Sequence, residues 1–170
     1  MQVMVTERLV LRTLVLEDAA FILELVNDPD WLKYIGDRGV RTLDDARGYI
    51  QKGPMEMYAR LGYGLFRVEL KSDGTPIGLC GLVKRDSLPE VDLGFAFLAR
   101  HRGQGYAQEA AAATLAHARN AYGLQRILAI VSPGNGRSIR LLQKLGFSFE
   151  RSLLLAGGTD EVRLYASESS

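Results

Sequence analysis

The feature that most constrains the fold is a junction where a predicted strand runs through two glycines into a long predicted helix. Large and small residues alternate over Val91–Leu98, as in a strand, and the alanine-rich segment Gly105–Tyr122 has apolar residues at helical spacing. Between them the chain reads Arg100-His101-Arg102-Gly103-Gln104-Gly105-Tyr106-Ala107. Glycine allows a tight turn with no Cβ over the amides, and the first N–H groups of a helix have no partner within it. The junction therefore predicts a backbone cradle for an anionic group such as a pyrophosphate.

The charge of the chain is distributed unevenly around this junction. The net charge is +1, yet the segment 98–144 contains seven basic residues and one acidic residue, Glu109. The basic residues are Arg100, Arg102, Arg119, Arg126, Arg137, Arg140 and Lys144. Such a block indicates either a local anionic ligand or a solvated basic face. The glycine cradle inside the block favours the ligand, with Arg100 and Arg102 as additional donors at its rim.

Composition and motif spacing exclude several other classes of protein. A single cysteine, Cys80, rules out an intrachain disulfide and a cysteine-rich metal site, and with only His101 and His117 no three-histidine site can form; no metal is expected. The cradle lacks the third glycine of a dinucleotide fingerprint and the Gly-Lys-Ser/Thr of a triphosphate loop. No apolar run approaches the roughly 20 residues of a membrane helix, and Met1–Arg8 has no signal-peptide core. We therefore expect a cytoplasmic protein with no membrane partner.

The pattern along the chain predicts one mixed domain over residues 1–170, with a polar tail at Ser167–Ser170. It is of the α/β (α+β) class, with a mostly antiparallel sheet of about seven strands and about four flanking helices. The predicted strands are Leu9–Leu11, Leu65–Leu70, Ile77–Val83, Val91–Leu98, Arg126–Val131, Phe147–Leu155 and Glu161–Ala166, the last two separated by Gly157-Gly158. The predicted helices are Glu17–Val26, Thr42–Leu61 with an interruption at Gly53-Pro54, Gly105–Tyr122 and Asn135–Leu145.

Two ordered motifs resemble the GCN5-related N-acetyltransferase (GNAT) superfamily. The run Arg100–Gly105 is similar to its (Gln/Arg)-x-x-Gly-x-(Gly/Ala) signature. Further on, Asn135-Gly136-Arg137-Ser138 and Gln143-Lys144-Leu145-Gly146-Phe147 resemble the Asn-x-x-Ser and Lys-Leu-Gly-Phe pattern of the branch that acetylates the N-termini of ribosomal proteins. The segments Thr6–Arg12 and Tyr106–Ala110 are also similar to that branch, so the resemblance extends from about Thr6 to Tyr165.

The resemblance implies the GNAT fold and acetyl-coenzyme A as cosubstrate. The residues it implies for coenzyme binding are Phe97, Leu98, Arg100, Arg102, Gly103, Gln104, Gly105, Tyr106, Ala107, Asn135 and Ser138. Asn135 also suits the N-cap of a helix, a role that is compatible with a ligand contact. Glu109 lies in the first turn of the helix after the cradle, where it either stabilises the helix dipole or makes a bond that shapes the cradle.

The strand Val91–Leu98 suggests how an acetyl group is held. Its large residues share one face, and Asp92, Gly94 and Ala96 share the other, which leaves room beside the strand. The resemblance places the acetyl group there, with a bulge that frees the N–H of Phe97 to stabilise an oxyanion. Asp92 is the candidate base for a primary amine that attacks the thioester directly, with Glu90 and then Glu161 as alternatives. A surface carboxylate without a catalytic role is the competing interpretation of Asp92.

The remaining catalytic and acceptor residues are less defined. Many members of the superfamily protonate the leaving thiolate with a tyrosine where this chain has Leu142, so Ser138 or a water is the candidate donor. Cys80 lies in an apolar strand and is interpreted as packing. The segment Asp28–Arg41, with Trp31 and Tyr34, corresponds to the acceptor side in this family. Its carboxylates Asp28, Asp30 and Asp37 either hold a cationic acceptor or belong to a solvated loop.

The predicted function is transfer of acetyl to a primary amine, either a protein N-terminus or a small molecule. A domain that binds acetyl-coenzyme A as a regulatory module without turnover is the alternative, and the absence of a working base would favour it. Nucleic-acid binding is not expected, because His101 and Tyr106 provide too few aromatic groups within the basic block. Unpaired strands at the ends of the sheet are compatible with a homodimer.

Overall fold

The structure, a computed structural model, describes residues 1–155 and 160–168, and these residues form eight strands and six α-helices. The strands are β1 (Gln2–Val5), β2 (Leu9–Arg12), β3 (Leu65–Leu70), β4 (Pro76–Val83), β5 (Asp92–Phe97), β6 (Arg126–Val131), β7 (Ser148–Leu154) and β8 (Glu161–Glu168). The helices are α1 (Ala19–Val26), α2 (Pro29–Tyr34), α3 (Leu43–Ile50), α4 (Glu56–Leu61), α5 (Tyr106–Tyr122) and α6 (Gly136–Lys144). Over these residues, no helix combines the length and apolar character needed to cross a bilayer.

The predicted α/β class is confirmed, whereas the predicted counts of about seven strands and four helices are too low. β1 is an additional strand and α2 an additional helix, and a π-helical segment, Gln51–Met55, divides the predicted helix over 42–61 into α3 and α4 at the expected interruption. The predicted polar tail begins too early, because Ser167 is buried in β8 and accepts a hydrogen bond from Arg119 Nη2 at 2.9 Å. The Gly157-Gly158 turn and the last two residues lie outside the described residues.

The proline at position 29 has two roles that the sequence pattern did not separate. It lies three residues after Val26, the last residue of α1, where it prevents that helix from continuing, and it is also the first residue of α2. Proline suits this position because its fixed φ is helical and its missing N–H would have had no partner there. Asp28 caps the new helix by accepting the N–H of Asp30 at 3.0 Å. Only two residues, Asn27 and Asp28, therefore separate the end of α1 from the start of α2.

The eight strands form a single sheet in the order β1-β2-β3-β4-β5-β6-β8-β7. Every neighbouring pair is antiparallel except β5 and β6, which run parallel. These two strands meet at one residue pair, Asp92 with Leu128, and Leu128 N–H donates to Val91 O at 2.9 Å. Beyond that pair no ladder joins β5 to β6 among the described residues, so the sheet opens in its middle.

Helices cover both faces of the sheet. On one face, α5 packs against β2, β4 and β5, and its small residues Ala110, Ala111 and Ala118 are all fully buried. On the other face, α1 and α3 bury Ile22, Leu25 and Ile50 against Leu79 of β4 and Leu98. A buried leucine or isoleucine stabilises the fold by roughly 1.5–3 kcal/mol, so each face of the sheet contributes its own hydrophobic cluster to the stability of the fold.

A set of four charged residues, here called the closed cluster, ties the segment before α1 to the sheet. It consists of Arg12 on β2, Asp18, and Arg67 and Glu69 on β3. Asp18 Oδ1 lies 2.9 Å from Arg12 Nη2 and 2.7 Å from Arg67 Nη1, and its side chain is 3% exposed. Burial alone would raise the pKa of Asp18, but the bonds from Arg12 and from the Val15 N–H, with the charges of both arginines, hold it below its usual range.

Candidate active site

A cavity of about 530 Å³ occupies the opening between β5 and β6. The exposed side of β5 from Asp92 to Phe97 forms its floor, and residues of α2 and α6 form its walls. Ser132, just after β6, donates its hydroxyl to Tyr34 O of α2 at 2.9 Å, which links the two sides of the opening. Because successive strand residues advance by about 3.3 Å, the floor is roughly 17 Å long from Asp92 to Phe97. It is long enough for an extended ligand.

The backbone of β5 presents free donors to this cavity. Leu98 N–H donates to Ile77 O at 2.9 Å, and the register of β4 with β5 is continuous from Gly78 opposite Phe97 to Val83 opposite Asp92. Since N–H directions alternate in an antiparallel ladder, the N–H groups of Phe95 and Phe97 point away from β4 and into the opening. The expected bulge near Phe97 is therefore wrong, because the separation of β5 from β6 frees the same N–H without one.

The predicted cradle lies at the start of α5, beside a second cavity of about 270 Å³. Gly103 and Gly105 have φ angles of +78° and +83°, a left-handed conformation that residues with a Cβ rarely adopt. Gly105 is the N-cap of α5 and has no side chain to bond the first-turn N–H groups. A Cβ at Gly103 would stand in open space, and one at Gly105 would lie 3.2 Å from Arg8 Nη2. The amides of the first turn are therefore available to an external anion.

Three basic residues of α6 face the cradle across the second cavity: Arg137, Arg140 and Lys144. We call them the open cluster. Their spacing of three and four residues places them on one side of the helix. The only carboxylate within ion-pair distance of any of them, in the part of the chain described, is Asp30, whose Oδ2 is 3.7 Å from Arg137 Nη1. Backbone donors on one wall and guanidinium and ammonium groups on the other suit a polyphosphate.

Arg8 and Glu109 support the cradle from the side away from the cavity, and no local sequence pattern indicated this role for Arg8. Glu109 accepts bonds from Thr6 Oγ1 at 2.5 Å, Arg8 N at 2.9 Å and Arg8 Nε at 2.8 Å. Arg8 Nη1 also donates to Gln104 O at 2.9 Å, and its guanidinium lies 4.4 Å from the centre of the Tyr106 ring. Of the two interpretations of Glu109, the bond that shapes the cradle is therefore confirmed. Partial burial would raise the pKa of Glu109, but these donors hold it below its usual range.

The two arginines expected at the rim of the cradle point elsewhere. Arg100 pairs with Glu24 of α1, with 2.8 Å between Nη1 and Oε2, and lines neither cavity. Arg102 lines both cavities, but its guanidinium donates to Asp30 Oδ2 at 2.7 Å, Asp28 Oδ1 at 3.2 Å and Phe97 O at 2.7 Å. Arg102 thus fastens α2 to the end of β5.

The other residues expected to bind the coenzyme fall into two groups. The first group lines one or both cavities and comprises Phe97, Gly103, Gly105, Tyr106, Ala107, Asn135 and Ser138. The second group lines neither cavity: Leu98 is buried and its N–H is bonded to Ile77 O, and the carbonyl of Gln104 accepts the bond from Arg8. Asn135 is the N-cap of α6, since its Oδ1 accepts Ser138 N–H at 3.3 Å.

Asp92 lies at the far end of the cavity floor from the cradle and is 1% exposed. Its Oδ2 accepts a bond from Arg85 Nε at 2.9 Å, whereas its Oδ1 accepts none from the described residues. Burial raises the pKa of Asp92 above its usual range, and the charge and bond of Arg85 offset only part of this. The alternatives do not reach the cavity: Glu90 lies 3.6 Å from Arg126, and Glu161 is exposed at the start of β8.

Leu142 and Cys80, the two residues considered for proton donation and for covalent chemistry, are both buried. Leu142, at the position of the tyrosine found in many relatives, is buried at the cavity wall one turn beyond Ser138. Cys80 is fully buried in β4, where burial raises the pKa of its thiol to about 12 and its sulfur lies 3.4 Å from Thr114 Oγ1. A thiol so placed is inert, which confirms its interpretation as packing.

The chain belongs to the GNAT acetyltransferase family, because the family described as an acetyltransferase (GNAT) domain matches residues 8–148. Two curated relatives are the uncharacterized protein YkkB of Bacillus subtilis (strain 168), 32% identical over 88% of this chain and 87% of its own, and the uncharacterized N-acetyltransferase p20 of Bacillus licheniformis, 31% identical over 88% and 84%. The fold and these relatives confirm the prediction of an N-acetyltransferase.

Solved structures agree with this assignment. An acetyltransferase from Agrobacterium tumefaciens str. C58 superposes with a TM-score of 0.82 at 27% identity, covering 99% of this chain and 95% of its own. RimL, a ribosomal L7/L12 alpha-N-protein acetyltransferase in complex with coenzyme A, has a TM-score of 0.80 at 17% identity, covering 99% and 98%. At 17% identity, the similarity to RimL shows only that the two chains share a fold. The family uses acetyl-coenzyme A and acts on amines.

Proposed function

We propose that this chain transfers the acetyl group of acetyl-coenzyme A to a primary amine by direct attack, in the cavity between β5 and β6. The observation that carries the proposal is the uncapped start of α5 at Gly105, which faces the open cluster across a cavity of about 270 Å³. Left-handed glycines, free amides and basic side chains, of which Arg140 and Lys144 have no ion pair among the described residues, together fit a pyrophosphate. Acetyl-coenzyme A supplies the thioester, and the chain supplies the positioning and the proton transfers.

The cradle and β5 hold the two ends of this ligand. The first-turn N–H groups of α5, with Arg137, Arg140 and Lys144, hold the phosphates. Asn135 and Ser138 flank the path from the cradle into the larger cavity. The N–H groups of Phe95 and Phe97 donate to the oxygen on which negative charge develops, and the rigid strand fixes their direction beforehand.

Proton transfer falls to Asp92 and Ser138 in this proposal. An amine is mostly protonated at neutral pH and must lose a proton before it attacks. Asp92 Oδ1, which no described residue bonds, accepts that proton directly or through a water, and Arg85 holds the carboxylate in place through Oδ2. The hydroxyl of Ser138 lines the cavity and donates to the leaving thiolate, whose low basicity requires only modest help.

The amine is either a protein N-terminus or a small molecule. The name of RimL supports the first, and its sequence identity of 17% limits that support to the shared fold. We also propose that two copies associate as a homodimer, since β1 and β7 are the outermost strands of the sheet and β7 exposes Phe149 and Leu154. Sedimentation analysis that finds only monomers at high concentration contradicts that association.

The experiment compares Gly105→Val with Gly123→Val in a calorimetric titration with acetyl-coenzyme A. Both glycines have positive φ and lie at opposite ends of α5, so the backbone strain is similar and only the first variant alters the cradle. We expect Gly105→Val to lose coenzyme binding and Gly123→Val to retain it. Equal affinity in the two variants would refute the cradle. Thiol release that depends on added amine then separates transfer from mere binding.

A further inference from the structure

The carboxylates on the acceptor side of the cavity are already neutralised. Asp28 and Asp30 bond to Arg102, and Asp30 also lies 3.7 Å from Arg137. Asp37 pairs with Arg41, with 2.5 Å between Oδ2 and Nη2. One carboxylate oxygen of Asp92, Oδ2, lies 2.9 Å from Arg85 Nε. Each carboxylate that lines the cavity, Asp28, Asp30 and Asp92, is therefore paired with a guanidinium group among the residues described. Of these three, only Asp92 lies on the floor strand β5, and its Oδ1 is assigned to the reacting amine.

The cations at the same end are not neutralised to the same extent. Arg38, in the loop after α2, lines the cavity and forms no ion pair with any described residue. Arg85 uses only Nε toward Asp92, which leaves its two terminal nitrogens without an acceptor in the described part of the chain. Arg38, Arg85 and Asp92 together carry a net positive charge, because two guanidinium groups are present for one carboxylate.

Tyr49 lines the same cavity as Arg38 and Arg85, and its hydroxyl has no hydrogen-bond partner among the described residues. Burial raises the pKa of Tyr49, and the charges of Arg38 and Arg85 offset only part of this rise. None of Arg38, Tyr49 and Arg85 lines the coenzyme cavity at the cradle. The phenol and the two guanidinium groups thus form a donor-rich pocket at the acceptor end.

We propose that the acceptor is a primary amine that also carries a carboxylate, which Arg38, Arg85 and the Tyr49 hydroxyl bind while Asp92 faces the amine. This inference rests on the proposed function and specifies its substrate class. Guanidinium groups bind carboxylates through paired, charge-assisted hydrogen bonds, and a cavity whose carboxylates are each paired with a guanidinium group disfavours a polycationic acceptor. The same chemistry occurs in a free amino acid and in a peptide whose second residue is acidic.

The experiment measures kcat/KM for matched amines by thiol release from acetyl-coenzyme A. One pair is alanine and alaninamide, and the other is the C-terminal amides of alanyl-aspartate and alanyl-asparagine. Within each pair only the carboxylate is replaced. We expect the wild-type enzyme to prefer the carboxylate in one of the pairs, and the pair that shows it identifies a free amino acid or a peptide as the source. Arg38→Gln should reduce that preference about tenfold.

The two amines of each pair also differ in amine basicity, which affects their rates. This effect is the same for the wild type and for Arg38→Gln, so it cancels when their preferences are compared. Arg38→Lys keeps the charge and should retain part of the preference. Arg47→Gln removes an exposed guanidinium of α3 that pairs with Asp44 and should leave the preference unchanged. A preference that Arg38→Gln does not alter, or turnover of spermidine with none of the four amines accepted, overturns the inference.

The proposed function fails in a different way. If acetyl-coenzyme A does not bind in calorimetry, or no amine of any class releases thiol, the enzyme assignment of this cavity is wrong and the inference falls with it. If an uncharged or cationic amine is acetylated efficiently, the proposed function stands and only the carboxylate pocket is refuted.

Discussion

The closed cluster and the open cluster use the same residue types in opposite ways. In the closed cluster, Arg12 and Arg67 lie within 3.3 Å of Asp18 or Glu69, and the aspartate is buried. In the open cluster, three cations face a cavity, and among the described residues only Arg137 has a carboxylate within ion-pair distance, at 3.7 Å. Buried charges that satisfy one another hold the backbone in place, whereas cations left with solvent as their partner can exchange that solvent for a ligand. Charge pairing therefore separates the residues of the fold from those of the site.

The largest effect that would test this contrast is expected for Asp18→Ala. Removing the buried carboxylate leaves two partly buried guanidinium groups with Glu69 as their remaining carboxylate partner. Breaking a buried ion pair in this way typically costs about 3–5 kcal/mol of unfolding free energy. Denaturant titration measures the loss. Asp44→Ala, which removes an exposed partner of Arg47, should change stability by less than about 0.5 kcal/mol. Coenzyme affinity should not change in either variant, and a parallel loss of affinity in Asp18→Ala would contradict the separation.

The same residue predicts how stability depends on pH. The pKa of Asp18 is lower in the folded chain than its ordinary value near 3.9, so ionised Asp18 stabilises the fold above that value. The stabilisation is lost as pH falls through the folded pKa. The stability difference between the wild type and Asp18→Asn should therefore narrow below about pH 4.

Asp92 shares features of both clusters, because it is buried and paired yet borders the cavity. If it is the base, Asp92→Asn should lower turnover by roughly a hundredfold or more, with little change in coenzyme affinity. In a pH–rate profile, the activity of the wild type should rise as pH passes the raised pKa of Asp92. This rise should be absent from the profile of Asp92→Asn. Glu90→Gln, outside the cavity, is the matched control. Full activity with an unchanged pH profile in Asp92→Asn would assign proton removal to water or another group.

Arg140→Gln tests the open cluster directly. It should weaken acetyl-coenzyme A binding about tenfold, near the value of one charge-assisted hydrogen bond, and should make the affinity less sensitive to salt. Thermal unfolding should stay unchanged, since Arg140 has no ion pair among the described residues. Arg151→Gln, an exposed arginine on β7, controls for the loss of one charge. A fall in melting temperature without a loss of affinity would place Arg140 in the fold.

The smallest effects concern the start of α6, where cap and ligand roles meet. Asn135→Ala removes the bond to Ser138 N–H and should cost about 1 kcal/mol of stability. Ser138→Ala keeps that cap and should instead lower turnover up to about tenfold if the hydroxyl assists the thiolate. Chemical denaturation and thiol release distinguish the two. If Ser138→Ala keeps its full rate when chemistry limits turnover, Ser138 is only a helix residue.

The parts of the fold that could be predicted are those with local signals. The cradle follows from Gly103 and Gly105 before an alanine-rich helix, because only backbone freedom and helix geometry decide it. Strands β3 to β8 were predicted because each is a run of six or more residues between turn or helix signals, and β5 also alternates large and small residues. The short strand β1 and the six-residue helix α2 were missed, since four or six residues give little periodicity and Pro29 signals an end as well as a beginning.

The pairing of charged side chains could not be predicted, and it decides much of the site. Arg8 meets Glu109 and Gln104, which are about a hundred residues away in sequence. Arg102 turns to Asp28 and Asp30 once α2 is placed beside β5. A guanidinium in a basic block looks the same in the sequence whether it faces a ligand or a carboxylate. Only the packed structure shows which partner is within reach.

The separation of β5 from β6 also places unpaired backbone groups in the middle of an eight-stranded sheet. An edge strand of this kind on the surface can template pairing with another chain and so promote aggregation. Here α2 and α6 wall the opening, and the bond from Ser132 to Tyr34 O restricts access to it. The chain thus keeps a row of directional hydrogen-bonding groups that a small ligand can reach and that a foreign strand is kept from joining.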